Sequence, residues 1–172
     1  MGSLQDRVTG ANIRWHCRSV IRRWADDNTP APFGTEFIVV TAEDDQPDGV
    51  SVALSVKTSD KGDGRDHPTV RVRGAVQVVD DQMVSLQDCE VRFHLGNDSS
   101  APAEHELRDM LTGWGAEYLF GYLRGAVADS ARSVGLAAPV LPTMAYMNLD
   151  EQQIDALIVG AWERTDGEVD TL

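Results

Sequence analysis

Cysteine, basic residues and long apolar runs are all scarce in this sequence of 172 residues. The two cysteines, Cys17 and Cys89, form no CxxC or Cys/His cluster, which disfavours a disulfide scaffold and a structural zinc site. The longest apolar stretches, such as Phe37 to Val40, are far too short to span a bilayer, and no signal sequence opens the chain. Because 15 Lys and Arg residues stand against 28 Asp and Glu residues, the net charge is −13, which argues against nucleic-acid and anionic-lipid partners. We therefore expect a cytoplasmic protein.

The composition is that of one globular domain, with 42% hydrophobic and 25% charged residues. We divide the single domain 1–172 into a basic opening segment at 1–24 and a sheet region at 25–97. A helical half at 104–163 and an acidic tail at 164–172 follow. The opening segment carries a charge of +4 and the rest of the chain −17. A solvated basic face explains this contrast more simply than docking of the segment on the acidic body.

The pattern of the opening segment fits two structures. Helical spacing places one set of apolar residues on a single side: Ile13, Cys17, Val20, Ile21 and Trp24. Residues 15–21 also alternate as a strand would. We favour the helix and keep the strand as the alternative.

Four segments downstream have the pattern of strands, at 37–40, 50–57, 70–78 and 89–95. The last three alternate apolar and polar residues and are separated by turn residues without intervening helices, which predicts an antiparallel sheet with one buried face. Cys89 lies on that face and is expected to be an inert core thiol.

The period changes to three and four residues after the loop at 97–102. This predicts a long helix from Leu107 towards Val134, with a break near Gly113–Gly115 and a stop at Gly135. Beyond a loop with Pro139 and Pro142, a capping box of Asn148 and Glu151 predicts a last helix. Its inner face holds Ile154, Leu157, Ile158 and Trp162. The fold class is thus α+β: a four-stranded antiparallel sheet, a long helix and a short C-terminal helix, preceded by a basic helix or strand.

Catalytic and metal-binding patterns are missing. The four histidines lie in four separate elements, and no Gly-rich phosphate loop occurs. The Asp-rich stretch at 60–64 lacks the downstream glutamate of a calcium loop, which makes it a solvated hairpin loop. We predict no catalytic residue, no metal and no cofactor, and we do not expect an enzyme.

Two segments of the helical half carry a family resemblance. Leu119-Phe120-Gly121-Tyr122-Leu123-Arg124 takes the place of a Leu-Phe-Pro-Tyr-Ala-Arg motif, and Asn148-Leu149-Asp150 stands where Asn-Phe-Asp would be. Gly135 and Pro139 match the loop between them. In these residues and in the order of its elements, the chain resembles the SecB export-chaperone family and its SecB-like relatives attached to toxin–antitoxin systems. Gly121 and Leu149 depart from the motifs, and the similarity covers about 114–154.

The resemblance implies a homotetrameric, ATP-independent holdase that binds unfolded or export-bound polypeptides in hydrophobic grooves, with SecA or an antitoxin as a further partner. Candidate groove residues are aromatic or methionine side chains, which adapt to varied clients: Phe33, Phe37, Trp114, Tyr118, Tyr122, Met144, Tyr146 and Met147. For the three helix aromatics, core packing is the competing interpretation. The alternatives to an export role are a chaperone dedicated to one antitoxin and a small-ligand-binding α+β domain.

In the family, acidic residues on the outer face of the sheet contact the SecA motor. Glu43, Asp44, Asp45 and Glu90 are acidic positions of this kind, but no local motif distinguishes them from a solvated face. We therefore assign no SecA site.

Overall fold

The computed structural model describes residues 3–22, 49–59, 67–96, 100–141 and 150–162. In these ranges helix α1 (Leu4–Arg7) precedes strands β1 (Val8–Arg22), β2 (Val50–Ser59), β3 (Thr69–Val79) and β4 (Met83–Leu95). Helices α2 (Glu104–Thr112), α3 (Trp114–Ser133) and α4 (Glu151–Trp162) follow. The predicted α+β order, a sheet followed by a long broken helix and a short C-terminal helix, is confirmed.

The four strands form one antiparallel sheet in the order β1-β4-β3-β2. Helix α3 packs mainly on β4 and β3, and α4 packs on β2. The side of the sheet that they cover, here called the helix face, carries fully buried residues such as Val72 and Val91. The opposite side is called the outer face. The sheet therefore has one face buried under helices, as the strand alternation predicts.

The opening segment is a strand, so the favoured helix is wrong and the strand alternative is correct. β1 pairs with β4 along its length, with a register shift at His16. This shift changes which alternate residues reach the helix face: Ile13 and Trp15 before it and Val20 after it pack against the core. Because the core-facing residues follow neither a strict period of two nor one of 3.6, the sequence pattern is ambiguous, and pairing with β4 decides the structure.

The predicted strands at 50–57, 70–78 and 89–95 correspond to β2, β3 and the second half of β4. The candidate at 37–40 lies outside the described residues, and β1 completes the sheet of four. Cys89 is fully buried, as predicted, and burial raises the pKa of its thiol to about 12. The thiol is therefore protonated at neutral pH.

The sequence does not predict the first half of β4, because polar residues occupy its helix face. The buried Gln87 Nε2 lies 2.9 Å from Ser130 Oγ on α3 and 2.9 Å from Ser85 Oγ. It also lies 3.1 Å from the Ser19 carbonyl oxygen on β1. The amide nitrogen of Gln87 thus joins α3, β4 and β1, whereas its Oε1 is buried and has no hydrogen-bond partner among the described residues.

The long helix breaks where predicted. α2 ends at Thr112 and α3 begins at Trp114, with Gly113 between them at φ −139° and ψ −124°, far from helical values. Helix α3 ends at Ser133, and Gly135 follows at φ +75°, the left-handed conformation that commonly terminates helices.

Helix α3 packs tightly over Gly74 on β3. A Cβ atom placed there would lie 2.7 Å from Leu119 Cδ2, 3.1 Å from Leu123 Cδ1 and 3.3 Å from Leu54 Cδ2. Three leucine side chains thus fill the space that a larger residue would occupy. The layer between α3 and the sheet is packed at this point.

The start of α4 differs from the predicted one. The helix begins at Glu151, and its capping box consists of Asp150 and Gln153 rather than Asn148 and Glu151. Asp150 Oδ1 accepts from the Gln153 N–H at 2.7 Å, and Gln153 Oε1 accepts from the Asp150 N–H at 3.1 Å. Asn148 lies outside the described residues. On the predicted inner face Ile154 and Ile158 are buried and Leu157 is partly buried.

Ion pairs connect α2 to α1 and to α4. Arg7 of α1 donates two hydrogen bonds to the Glu106 carboxylate, both at 2.9 Å, and Arg108 pairs with Asp155 of α4. Burial alone would raise the pKa of Glu106, but the Ala103 N–H and the Arg7 guanidinium hold that pKa below its usual value. The Glu106 carboxylate is therefore ionised at neutral pH and accepts from Arg7.

Candidate functional site

Four aromatic side chains meet where the start of α3 crosses the end of β4. The ring centroid of Phe93 lies 5.0 Å from that of Trp114 and 5.8 Å from that of Tyr118. The centroids of Tyr118 and Tyr122 are 5.4 Å apart. All three pairs are edge-to-face, the arrangement that aromatic quadrupoles favour. Phe93, Trp114, Tyr118 and Tyr122 are called the aromatic cluster below.

Helix geometry explains why three of these aromatic residues line one side of α3. Trp114, Tyr118 and Tyr122 follow one another at intervals of four residues, so they share one side of the helix. Leu119 and Leu123, each one position further along, are fully buried against the sheet. The three aromatic residues therefore lie along the border between the buried side of α3 and its exposed side.

The aromatic cluster is buried at one end and open at the other. Phe93 is only 2% exposed, and Trp114 is partly buried against the core. Tyr118 and Tyr122 are 41% and 39% exposed. Large apolar rings that are held in place by a buried ring and still reach the surface form a preorganised contact surface.

The two tyrosine hydroxyls lie together. Tyr122 Oη is 3.5 Å from Tyr118 Oη, and the hydrogen bond from Tyr122, with a smaller effect of burial, raises the pKa of Tyr118 above its usual value. The Tyr118 hydroxyl is therefore neutral at physiological pH. The cluster presents apolar rings and hydroxyls, and no charge of its own.

Of the predicted groove residues, the structure brings together Trp114, Tyr118 and Tyr122. The other five lie outside the described residues: Phe33, Phe37, Met144, Tyr146 and Met147. Trp114 is partly buried against the core, whereas Tyr118 and Tyr122 reach the surface with 41% and 39% of their area exposed. Phe93 was not among the candidates, since its alternation with Arg92 and His94 indicates only a strand residue. Phe93 lies near the end of β4, and Trp114 lies in the first turn of α3. An expectation that these two parts of the chain pack together could have identified Phe93.

Groups suited to metal binding do not gather in the part of the chain that the structure describes: no three His, Cys, Asp or Glu side chains lie close enough to hold an ion. Within the same ranges, no helix combines the length and hydropathy needed to cross a bilayer.

Comparison with solved structures identifies the architecture. The chain is similar to the Mycobacterium tuberculosis SecB-like chaperone Rv1957, solved in complex with a ChAD peptide from the Rv1956 HigA1 antitoxin. The TM-score is 0.51 at 15% sequence identity, and the match covers 81% of this chain and 89% of that one. This chain has a SecB-like fold. No family model matches the sequence, and neither does any curated protein sequence.

The two segments that resemble family motifs lie in α3 and at the start of α4. Leu119 to Arg124 lie in the middle of α3, where Gly121 stands at the position of the motif's proline. Asp150, the last residue of the second motif, caps α4, while Asn148 and Leu149 are outside the described residues. The first motif therefore adjoins the aromatic cluster, because it contains Tyr122.

Proposed function

We propose that this chain is an ATP-independent molecular chaperone that holds unfolded polypeptide segments on the aromatic cluster. The observation that carries the proposal is the pair of half-exposed tyrosines anchored on buried Phe93, within a SecB-like fold. Burial of apolar client side chains contributes about 25 cal/mol per Å², offset by the ordering of the client. No covalent step and no nucleotide is required, and we do not propose an enzyme.

Protein export is the proposed cellular role, with SecA as a further partner to which no residue is assigned. A chaperone dedicated to one antitoxin is the second candidate, because the neighbour Rv1957 was solved with an antitoxin peptide. The small-ligand alternative requires a cavity under α3. The leucine packing around Gly74 argues against such a cavity at the centre of the sheet.

The purified chain is expected to slow the aggregation of heated citrate synthase without added nucleotide. The reason is that exposed aromatic rings cover the apolar segments that unfolding clients would otherwise bury against one another. Light scattering at equal concentrations of client and chain measures the effect, with and without ATP. Lysozyme at the same mass concentration controls for crowding.

Suppression that is equal in the two nucleotide conditions supports the holdase. Scattering that matches the lysozyme control contradicts it. Suppression that appears only with ATP excludes the proposed mechanism even though a chaperone activity remains.

We also propose that the chain assembles as a tetramer, with a mass in solution four times the 18.8 kDa of one chain. Support comes from the family resemblance and from the outer side of α3. Gly121 and Gly125 are exposed there, and apart from their chain neighbours and the backbone of α3 itself no atom lies within 4 Å of the Cβ position of either residue. Light scattering coupled to gel filtration measures the mass. A monomer that still protects citrate synthase would refute the tetramer and leave the holdase standing.

A further inference from the structure

The first half of β4 is buried on both of its faces. Every residue from Met83 to Cys89 is buried, whereas partly buried residues alternate with buried ones in the rest of the strand. A strand with one face in water shows the alternating pattern, and a strand covered on both faces shows the continuous one. The outer face of the sheet is therefore covered beside residues 83–89.

The covered side chains on the outer face are apolar. Gln87 faces α3 and contacts Ser130, so its neighbour Leu86 points to the outer face, and so does Val84. Both are 7% exposed, and Ala75 on β3, one row away on the same face, is 6% exposed. We call Ala75, Val84 and Leu86 the outer apolar patch.

The helices that the structure describes do not lie over this patch. Helix α3 packs on β4 and β3 and α4 packs on β2, all on the helix face, while α2 packs on α3 and α4 and α1 packs on α2. A leucine or valine on an uncovered sheet face would keep a much larger share of its surface in water. A further part of the chain therefore covers the patch.

The connection between β1 and β2 starts and ends beside the patch. β1 ends at Arg22, which pairs with Met83, and β2 begins at Val50, which pairs with Val78. These two ends lie at opposite edges of the sheet, because the strand order is β1-β4-β3-β2. Three strand spacings amount to about 14 Å, which about five extended residues can span. The connection at 23–48 is much longer, so it can lie across the outer face.

Other long segments outside the described residues start elsewhere. Residues 60–66 join β2 to β3 at the opposite end of the sheet. Residues 163–172 follow the end of α4, where the Ala161 carbonyl oxygen accepts a hydrogen bond from Thr58 near that same end. Residues 142–149 join α3 to α4, two elements of the helix face. The connection from β1 to β2 is therefore the segment best placed to reach the patch.

We propose that the run at 37–40 of this connection docks on the outer apolar patch. It consists of Phe37, Ile38, Val39 and Val40, the longest apolar run between β1 and β2, and its uncharged side chains match an uncharged surface. Phe37, a predicted groove residue, then packs on the chain's own sheet. The patch lies on the face opposite α3, so this inference goes beyond the holdase proposal and does not depend on it.

Thiol labelling at Ala75 tests the docking. The reporter chain carries Ala75→Cys together with Cys17→Ser, which removes the partly exposed native thiol, while the other native thiol, Cys89, is fully buried. Replacement of residues 37–40 by serine in this chain is expected to raise the rate of reaction with Ellman's reagent at least tenfold. The reason is that the serines no longer cover the introduced thiol, and a thiol reacts only where it is accessible.

Two controls accompany the measurement. Ser55→Cys as the only introduced thiol lies at an exposed position on the same face and should react fast with and without the four serines. The variant Met144→Ser/Tyr146→Ser/Met147→Ser changes another apolar segment and should leave the reporter thiol slow. An unchanged rate in the four-serine variant, or an equal rise in the second variant, overturns the proposal.

Cross-linking keeps the proposal testable if the four-serine variant does not fold. Loss of the fold releases Cys89 as well, so two reactive thiols instead of one identify this case. In chains that carry Ala75→Cys and Cys17→Ser, a second cysteine is then placed in turn at each position of 37–40. Mild oxidation is expected to form an intramolecular disulfide at one or more of these positions, read from the mass of the linked peptides. Absence of a disulfide at all four positions overturns the proposal.

Discussion

Replacement of Tyr118 and Tyr122 together by serine is expected to weaken client binding by about tenfold to a hundredfold, equivalent to about 1.4–2.8 kcal/mol. The two rings supply the exposed apolar area of the aromatic cluster, and serine keeps only the hydroxyls. Fold stability should fall by about 2–4 kcal/mol, because both rings are still more than half buried and contact their aromatic neighbours, so affinity is measured well below the unfolding midpoint of the variant. Anisotropy with a labelled unfolded client measures the affinity, and thermal unfolding measures the stability.

Two further variants separate the rings from general surface hydrophobicity. Val159→Ser removes another exposed apolar side chain, 53% exposed on α4, and should leave client binding unchanged. Tyr118→Phe/Tyr122→Phe keeps the rings and should retain binding. If the valine variant loses as much affinity as the serine pair, or the phenylalanine pair loses it too, the aromatic cluster is not the binding surface.

Gly49→Ala is expected to destabilise the fold by roughly 2–5 kcal/mol, the sum of a left-handed backbone penalty and an overpacking penalty. Gly49 has φ +85°, and a Cβ there would lie 1.9 Å from the Val79 carbonyl oxygen. That atom belongs to the backbone of the paired strand, whose Val79 N–H donates to the Gly49 carbonyl at 2.6 Å. The clash therefore cannot be relieved by a side-chain rotation. Urea unfolding of both proteins measures the difference.

Gly125→Ala provides the matched control, made in the middle of α3. Apart from its chain neighbours and the surrounding helix backbone, no atom lies within 4 Å of its Cβ position, so alanine should stabilise the helix by about 0.5–1 kcal/mol. Opposite signs for the two variants are the expected result. A Gly49→Ala protein as stable as the wild type would mean that the turn before β2 differs from the one described.

The sheet and the broken helix could be predicted because local patterns specify them. β2 and β3 alternate apolar and polar residues over most of their length, and Gly113 interrupts the helix where its neighbours keep the helical period. β1 could not be predicted in the same way. Before the register shift at His16 the odd-numbered residues of β1 face the core, and after it the even-numbered residues do. This change becomes visible only when β1 is paired with β4.

The candidate site was predictable in its helical part only. The interval of four residues joins Trp114, Tyr118 and Tyr122 in any helix, but Phe93 enters the cluster through the crossing of α3 over β4. Neighbours across the sheet depend even more on tertiary structure. Lys57, Arg71 and Arg92 are unrelated in sequence, and strand register alone makes them neighbours.

The break at Gly113 separates two sets of contacts. The short helix before it is tied by Arg7–Glu106 to the beginning of the chain and by Arg108–Asp155 to its last helix, while Trp114 directly after it belongs to the aromatic cluster. If a client binds the aromatic cluster as proposed, it therefore contacts the residue directly after the break, whereas the helix before the break is held by ion pairs to α1 and α4.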